Sequence, residues 1–214
     1  MRDPYLYEGT RVLKNKLGIT SQEELDRAEA DYVSWRLKQL AMNPLPGAYT
    51  TQLFLDMHKF IFQDLYDWAG CIREINIEKE EPALGGLSIE YADISTIRKD
   101  LNSAIGSMNR RDWMHMDLEQ QTKWFSHDFA TLWKVHAFRE GNTRTAITFC
   151  CQFADDHGFP LDRTLFEENS LYVRTSLVAY NAVFHDLGDR SQKQHLELII
   201  QDSIKNNLTE QSWD

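Results

Sequence analysis

The sequence predicts an all-α fold with one small β excursion, and three observations carry that prediction. Apolar residues recur at helical spacing along most of the 214-residue chain. Helix-start and helix-stop residues punctuate that pattern at regular intervals. Only between residues 71 and 91 does the character change, to short extended runs bounded by Pro82 and the Gly85-Gly86 pair.

Taken in order, Ser21 followed by Glu24 reads as a capping box that opens a helix to about residue 42, where the stretch NPLPG stops it. A second helix is predicted through TQLFLDMHKFIFQDLYDWA, residues 51–69, because Leu53, Phe54, Met57, Ile61 and Leu65 fall on one face; Gly70 ends it. Ile72, Ile75 and Ile77 then alternate, and the turn residues that follow predict a hairpin-like excursion between helices. Helices resume over residues 93–108, 117–136, 142–157, 165–184 and 191–206. No internal repeat or low-complexity segment interrupts them.

With 42% hydrophobic and 26% charged residues, the chain can bury one sizeable core, so a single domain over residues 1–214 is expected. The net charge of −10 removes any overall attraction to nucleic acid or to an anionic membrane. No apolar run reaches the length of a membrane span, and the N-terminus lacks the apolar region of a signal peptide. Three cysteines, two of them adjacent at Cys150-Cys151 in an apolar helical run, fit core packing in a reducing cytoplasm better than disulfides.

One stretch concentrates chemistry: VHAFREGNTRTAITF, residues 135–149. It joins a helix expected to bury Trp124, Phe125, Phe129, Leu132 and Trp133 to one expected to bury Ile147, Phe149, Cys150 and Phe153. Gly141 permits a positive φ and a close backbone approach, and the N–H groups that follow point out of a helix N-terminus, which favours an anion. Arg144 in the first turn opposes the helix macrodipole unless an anion lies between them. That conflict suggests a bound phosphate. Glu140, beside such a phosphate, becomes useful if Mg²⁺ bridges the two, since Mg²⁺ is held by one or two carboxylates plus substrate phosphates. His136, whose ordinary pKa lies near neutrality, can take the proton from a hydroxyl nucleophile. The implied reaction is transfer of a phosphorus-containing group to a hydroxyl. Taken singly these residues have plainer uses, a structural histidine or an i,i+4 surface ion pair between Glu140 and Arg144. Their company within nine residues favours a site.

HAFREGNTRT resembles the Fic/Doc signature, H-x-F-x-(D/E)-G-N-G-R-x-x-R, and the likeness extends through DPYLYEGTRVLKNKLGI and DLYDWAGCIREINI to nearly the whole chain. The resemblance implies a Fic-like helical bundle and transfer of AMP from ATP to a hydroxyl side chain of a target protein. It assigns His136 as general base, Phe138 as the ring that fixes the loop, and Glu140 as the Mg²⁺ ligand. Gly141, Asn142 and Thr143 would line the anion hole and Arg144 would grip a distal phosphate. Residues 75–90 would form the flap that holds an extended target segment by strand addition, with Ile75, Ile77, Gly85, Gly86 and Leu87 as docking residues and a Ser, Thr or Tyr hydroxyl presented to His136.

Two positions depart from the pattern. Thr143 stands where the family has its second glycine, and Ile147 where it has its final arginine. The sequence R-T-A followed by an aliphatic residue, 144–147, is shared with the Doc branch, whose members phosphorylate their target, although that branch carries lysine at the position of Thr143. Three functions follow: a protein adenylyltransferase, a Doc-like protein phosphotransferase, or a non-catalytic binding module, against which the retained His136 argues. The inhibitory motif (S/T)-x-x-x-E-(G/N) is not met, since Leu25 follows Glu24 and Asn207 stands where Ser203 would need glutamate. Inhibition in the family manner would therefore come from a small antitoxin-like partner. The acidic run EKEEP, residues 78–82, reads as a solvated face that can bias the choice of target toward basic segments.

Overall fold

Residues 3–210 are described by a computed structural model, and they form a helical bundle with one irregular excursion. Ser21 caps α1 (Gln22–Met42), its hydroxyl accepting the Glu24 N–H at 3.5 Å, and Thr50 caps α2 (Thr51–Phe62) in the same way through Leu53 at 3.2 Å. After the excursion come α3 (Ile97–Asn109) and α4 (Leu118–Val135), the latter opened by a full capping box between Asp117 and Gln120. Helix α5 (Asn142–Asp156) follows, then α6 (Arg163–Glu168), α7 (Ser170–Tyr180) and α8 (Gln194–Glu210). Helix α4 is central, packing on α3, α5, α7 and α8, while α2 closes the core against α1 and α5. Phe125, Phe129 and Trp133 of α4 meet Phe149 and Phe153 of α5 and Phe54, Met57 and Ile61 of α2, all of them buried. Each such side chain contributes about 1.5–3 kcal/mol.

Helix α8 spans Gln194–Glu210 instead of 191–206, and four other boundaries differ from expectation, each for a local reason. Helix α2 stops at Phe62, and residues 63–70 continue as turns that still bury Leu65, Tyr66 and Ala69, so the apolar pattern persists while the backbone does not. Helix α3 begins late because the Asp93 carboxylate accepts from the Ser95 N–H and hydroxyl and holds residues 93–96 in a turn. The helix expected over 165–184 breaks at Asn169, whose side-chain amide donates to the Leu165 carbonyl at 2.8 Å. It ends at Tyr180, before a two-stranded antiparallel ladder, β1 (Val183–Phe184) with β2 (Gly188–Asp189), that the sequence pattern hid. Trp124 is 38% exposed rather than buried, because adjacent helical residues cannot share a face; it carries the Arg111 guanidinium 4.1 Å above its ring.

The excursion doubles back through a 3-10 turn at Pro82–Leu84, closed by the Leu87 carbonyl accepting the Glu81 N–H at 3.2 Å and the Glu81 carbonyl accepting the Gly86 N–H at 3.0 Å. Its tip rests on α7 through a bidentate ion pair: Arg174 donates to both carboxylate oxygens of Glu81 at 2.8 and 2.9 Å, and Glu81 is 1% exposed. Removing one partner leaves the other buried charge uncompensated. Arg174→Met is therefore expected to cost about 2–4 kcal/mol in chemical denaturation, and Glu81→Gln added to it should recover most of the loss; a single variant as stable as the parent would contradict the pairing. All three cysteines are free thiols, Cys150 and Cys151 buried, and burial pushes the Cys151 thiol up to about 12. No described helix is long and apolar enough to cross a membrane.

Candidate active site

The loop between α4 and α5 is built by capping. His136 ends α4 in the left-handed region, φ 50°, the only non-glycine residue with positive φ among those described, and Gly141 opens α5 at φ 81°. A Cβ on Gly141 would lie 2.3 Å from ring carbons of Phe62, so glycine is required by space as well as by φ. The Asn142 side chain ties the loop across itself, accepting the Phe138 N–H at 2.9 Å and donating to the Phe138 carbonyl at 2.8 Å. Asn142 thus acts on the loop from inside, buried, and not as an exposed lining group. Phe138 is wholly buried, its ring stacked on His58 at 3.7 Å and on Phe54 at 5.4 Å between centroids. The Thr143 hydroxyl accepts the indole N–H of Trp133 at 2.9 Å, which gives the non-glycine residue a defined place.

His136 is 3% exposed, and neither ring nitrogen has a hydrogen-bond partner. Tyr91, leaving the excursion, stacks on it with centroids 4.0 Å apart, and Trp133 meets it edge-on. Burial, reinforced by the charges of Lys79, Arg73 and Arg174, pushes the ring well below the ordinary histidine pKa, so it is neutral at pH 7. A neutral imidazole with both nitrogens free is an available base. Its backbone is held by buried Arg73, which donates to the His136 carbonyl at 2.8 Å and to the carbonyls of Ile75 and Ala92, coupling the loop to both arms of the excursion.

Glu140 turns back so that one carboxylate oxygen accepts the Gly141 N–H at 2.9 Å. Burial would push its carboxyl up, but Lys79 at 3.7 Å, the Gly141 N–H and Arg144 at 3.6 Å outweigh that and keep it below its usual range. It is ionised and one-third exposed. Among the described residues no group of three or more His, Cys, Asp or Glu could hold a metal by protein ligands alone. A single ionised carboxylate beside a helix N-terminus nevertheless fits Mg²⁺ that arrives with phosphates.

Arg144 does meet an anion, as its place in the first turn of α5 demands, but an internal one. Glu29 of α1 lies 2.6 Å from its guanidinium and is itself held by the Tyr66 hydroxyl at 2.5 Å, while the guanidinium sits over the Phe62 ring.

The flap residues divide. Ile75 and Ile77 are half-buried beside a groove of about 600 Å³ that also takes in Lys79 and Arg139. Gly85 and Gly86 are exposed with open space around them and Leu87 is 39% exposed; this tip leans on α7 and makes no hydrogen bond to the 136–144 loop. Of the residues that sequence reasoning missed, Arg73, Tyr91 and Glu29 are joined to the loop only by tertiary contact.

His58 is a fourth. Its Nδ1 accepts the Gly70 N–H at 2.8 Å, so the proton sits on Nε2, which donates to the Glu140 carbonyl at 3.0 Å. Burial pushes this ring down to about 3. Since the unfolded ring titrates near 6.5, the unfolded chain binds the extra proton between pH 6.5 and 3; the stability is complete above that window and is lost as pH falls through it. His58→Gln should accordingly flatten the fall in unfolding free energy between pH 7 and 4, read by denaturant titration at each pH. An unchanged slope would contradict a neutral buried His58.

The fold and the loop together describe a helical domain whose buried histidine, ionised carboxylate and helix N-terminus meet at one helix–loop–helix junction. The family model for the Fic/DOC family matches residues 48–154, half of the chain, and the protein belongs to that family. It is 27% identical over 178 residues to the protein adenylyltransferase VbhT of Bartonella schoenbuchensis, covering 83% of this chain but only 36% of that relative. It is 29% identical over 172 residues to the probable protein adenylyltransferase y4lH of Sinorhizobium fredii, covering 78% of this chain and 83% of the relative. Among solved structures, BepC of Bartonella tribocorum with bound AMPPNP superposes with a TM-score of 0.75 at 20% identity, covering 93% of this chain and 95% of that one.

Proposed function

We propose that the chain, as a single domain over residues 1–214, is a protein adenylyltransferase that uses ATP and Mg²⁺ to modify a Ser, Thr or Tyr hydroxyl of a target protein. One observation carries the reading: a buried, neutral, unpartnered His136 stands in the same loop as an ionised Glu140 and the N-terminus of α5. In the proposed reaction the target oxygen attacks the α-phosphorus of ATP, its proton passes to a ring nitrogen of His136, the α–β bridging P–O bond breaks, and pyrophosphate leaves. Glu140 would hold the Mg²⁺, which supplies charge neutralisation to the phosphates. The α5 N–H groups and Arg144 would receive the phosphates, with Arg144 exchanging Glu29 for them. Polyphosphate charge would also offset Lys79, Arg73 and Arg174, raising the proton affinity of His136 when nucleotide is bound. The names of the relatives and the AMPPNP of the BepC structure support this reading.

Ile147 supports a second one. Where the signature has an arginine, this side chain is half-buried against the core and offers no cation. A Doc-like phosphotransferase, which lacks that arginine, would use the same base on the γ-phosphorus. A cytoplasmic setting and a small inhibitory partner remain part of the proposal.

Intact-protein mass spectrometry of the chain with ATP and Mg²⁺, alone and with a cell lysate, tests it. An added AMP on the chain or on a lysate protein is expected; an added phosphate would favour the second reading, and no adduct would sink both.

A further inference from the structure

From Asn76 to Glu80 the chain has neither helix nor turn, and exposure alternates: Asn76, Glu78 and Glu80 are exposed, while Ile77 and Lys79 are half-buried. Among the described residues, the backbone N–H and C=O groups of Asn76, Ile77 and Glu78 make no hydrogen bond, so this stretch is an open edge. The inward row leads to the site. Lys79 lies 3.7 Å from Glu140, and its charge acts on the buried, unpartnered His136 ring.

The charges along the groove are unequal once internal pairs are removed. Arg139 is held by Asp3 at 2.8 Å and Lys79 faces Glu140, whereas Glu74 and Glu78 of the groove lining, and Glu80, the next exposed residue along the same edge, form no ion pair among the described residues. The groove therefore shows an incoming segment carboxylates with no counter-charge of their own.

We propose that this edge selects an extended, basic segment of the target protein, with Lys or Arg facing Glu74, Glu78 and Glu80 and the acceptor hydroxyl on the opposite side of the strand. The inference rests on the transferase reading above. Because successive side chains of an extended chain point to opposite faces, basic residues on the outer face and a hydroxyl turned inward lie an odd number of positions apart. Opposite charges facing each other across a strand pair are favourable and like charges unfavourable.

The test uses the full chain and three fluorescent peptides of equal length with lysine, glutamine or glutamate at alternate positions. By anisotropy the lysine peptide is expected to bind roughly three- to ten-fold tighter than the glutamine one, with the glutamate peptide weakest. The preference should fall away in the E74Q/E78Q/E80Q variant and at raised salt. Equal binding of the three peptides, binding of none, or an undiminished preference in the variant would overturn the proposal. ATP and Mg²⁺ are then added to lysine peptides carrying one serine at an odd or an even offset. Adducts at odd offsets support it, and equal adducts at both offsets overturn the alternation. A charge preference in binding without any adduct would leave the docking inference standing and show that the transferase reading is what failed.

Discussion

Alanine at position 136 is expected to abolish transfer while leaving the bundle folded. The imidazole is the proton acceptor in the loop that is not already committed: Glu140 is engaged by the Gly141 N–H and flanked by cations that hold its pKa down, and the Thr143 hydroxyl is occupied by Trp133. Loss of a general base costs about 10²–10⁴-fold in rate, which for a slow protein modification removes the adduct from view. The fold should survive for a physical reason, since both ring nitrogens are buried without partners and no hydrogen bond is broken when they go. What is lost is packing against Tyr91 and Trp133. Far-ultraviolet circular dichroism and a denaturant titration check the fold, and adduct mass checks transfer. Undiminished transfer by a folded His136→Ala chain would remove the proposed role.

The second large effect belongs to Gly141. Alanine there meets two costs at once, a left-handed φ of 81° and a Cβ driven to 2.3 Å from two carbons of the Phe62 ring. Phe62 is fully buried beside His58, so it has nowhere to retreat. Strain of about 1–2 kcal/mol plus overpacking of about 1–3 kcal/mol predicts a total loss of roughly 2–5 kcal/mol. The loop must also shift, and with it the Gly141 carbonyl that accepts from both the N–H and the hydroxyl of Thr145. Gly158→Ala is the control, having the same kind of φ, 82°, with nothing within 4 Å of the added carbon. Denaturant midpoints should show the Gly141 variant far below the Gly158 one; equal midpoints would contradict the steric argument.

The 136–144 loop stands out in sequence as a candidate site because its members are close together and their types conflict with simple helix stability. Arg144 at a helix N-terminus shows how far such a reading reaches: the need for an anion was evident, its source was not. Glu29 satisfies it from more than a hundred residues away, and nothing in α1 marks that glutamate among its neighbours. His58 looked like any residue on the apolar face of α2, though its partner Glu140 is 82 positions distant. Arg73 likewise reads as one charge in an extended run until the fold brings the His136 carbonyl to it. Helix identity came from period and caps, whereas helix ends were set by side chains that bond their own backbone, Asp93 and Asn169 among them. The hairpin at 183–189 was hidden because its two-residue strands are too short to show a period.

Adenylylation and phosphorylation differ in which phosphorus of ATP the target hydroxyl attacks. Incubating the chain, with and without lysate, with ATP labelled at the α-phosphorus and in parallel with ATP labelled at the γ-phosphorus asks this directly. Label from the α-position retained on protein, absent with the γ-label and absent from the His136→Ala chain, is the result predicted. Label from the γ-position alone would contradict adenylylation and make the protein a phosphotransferase.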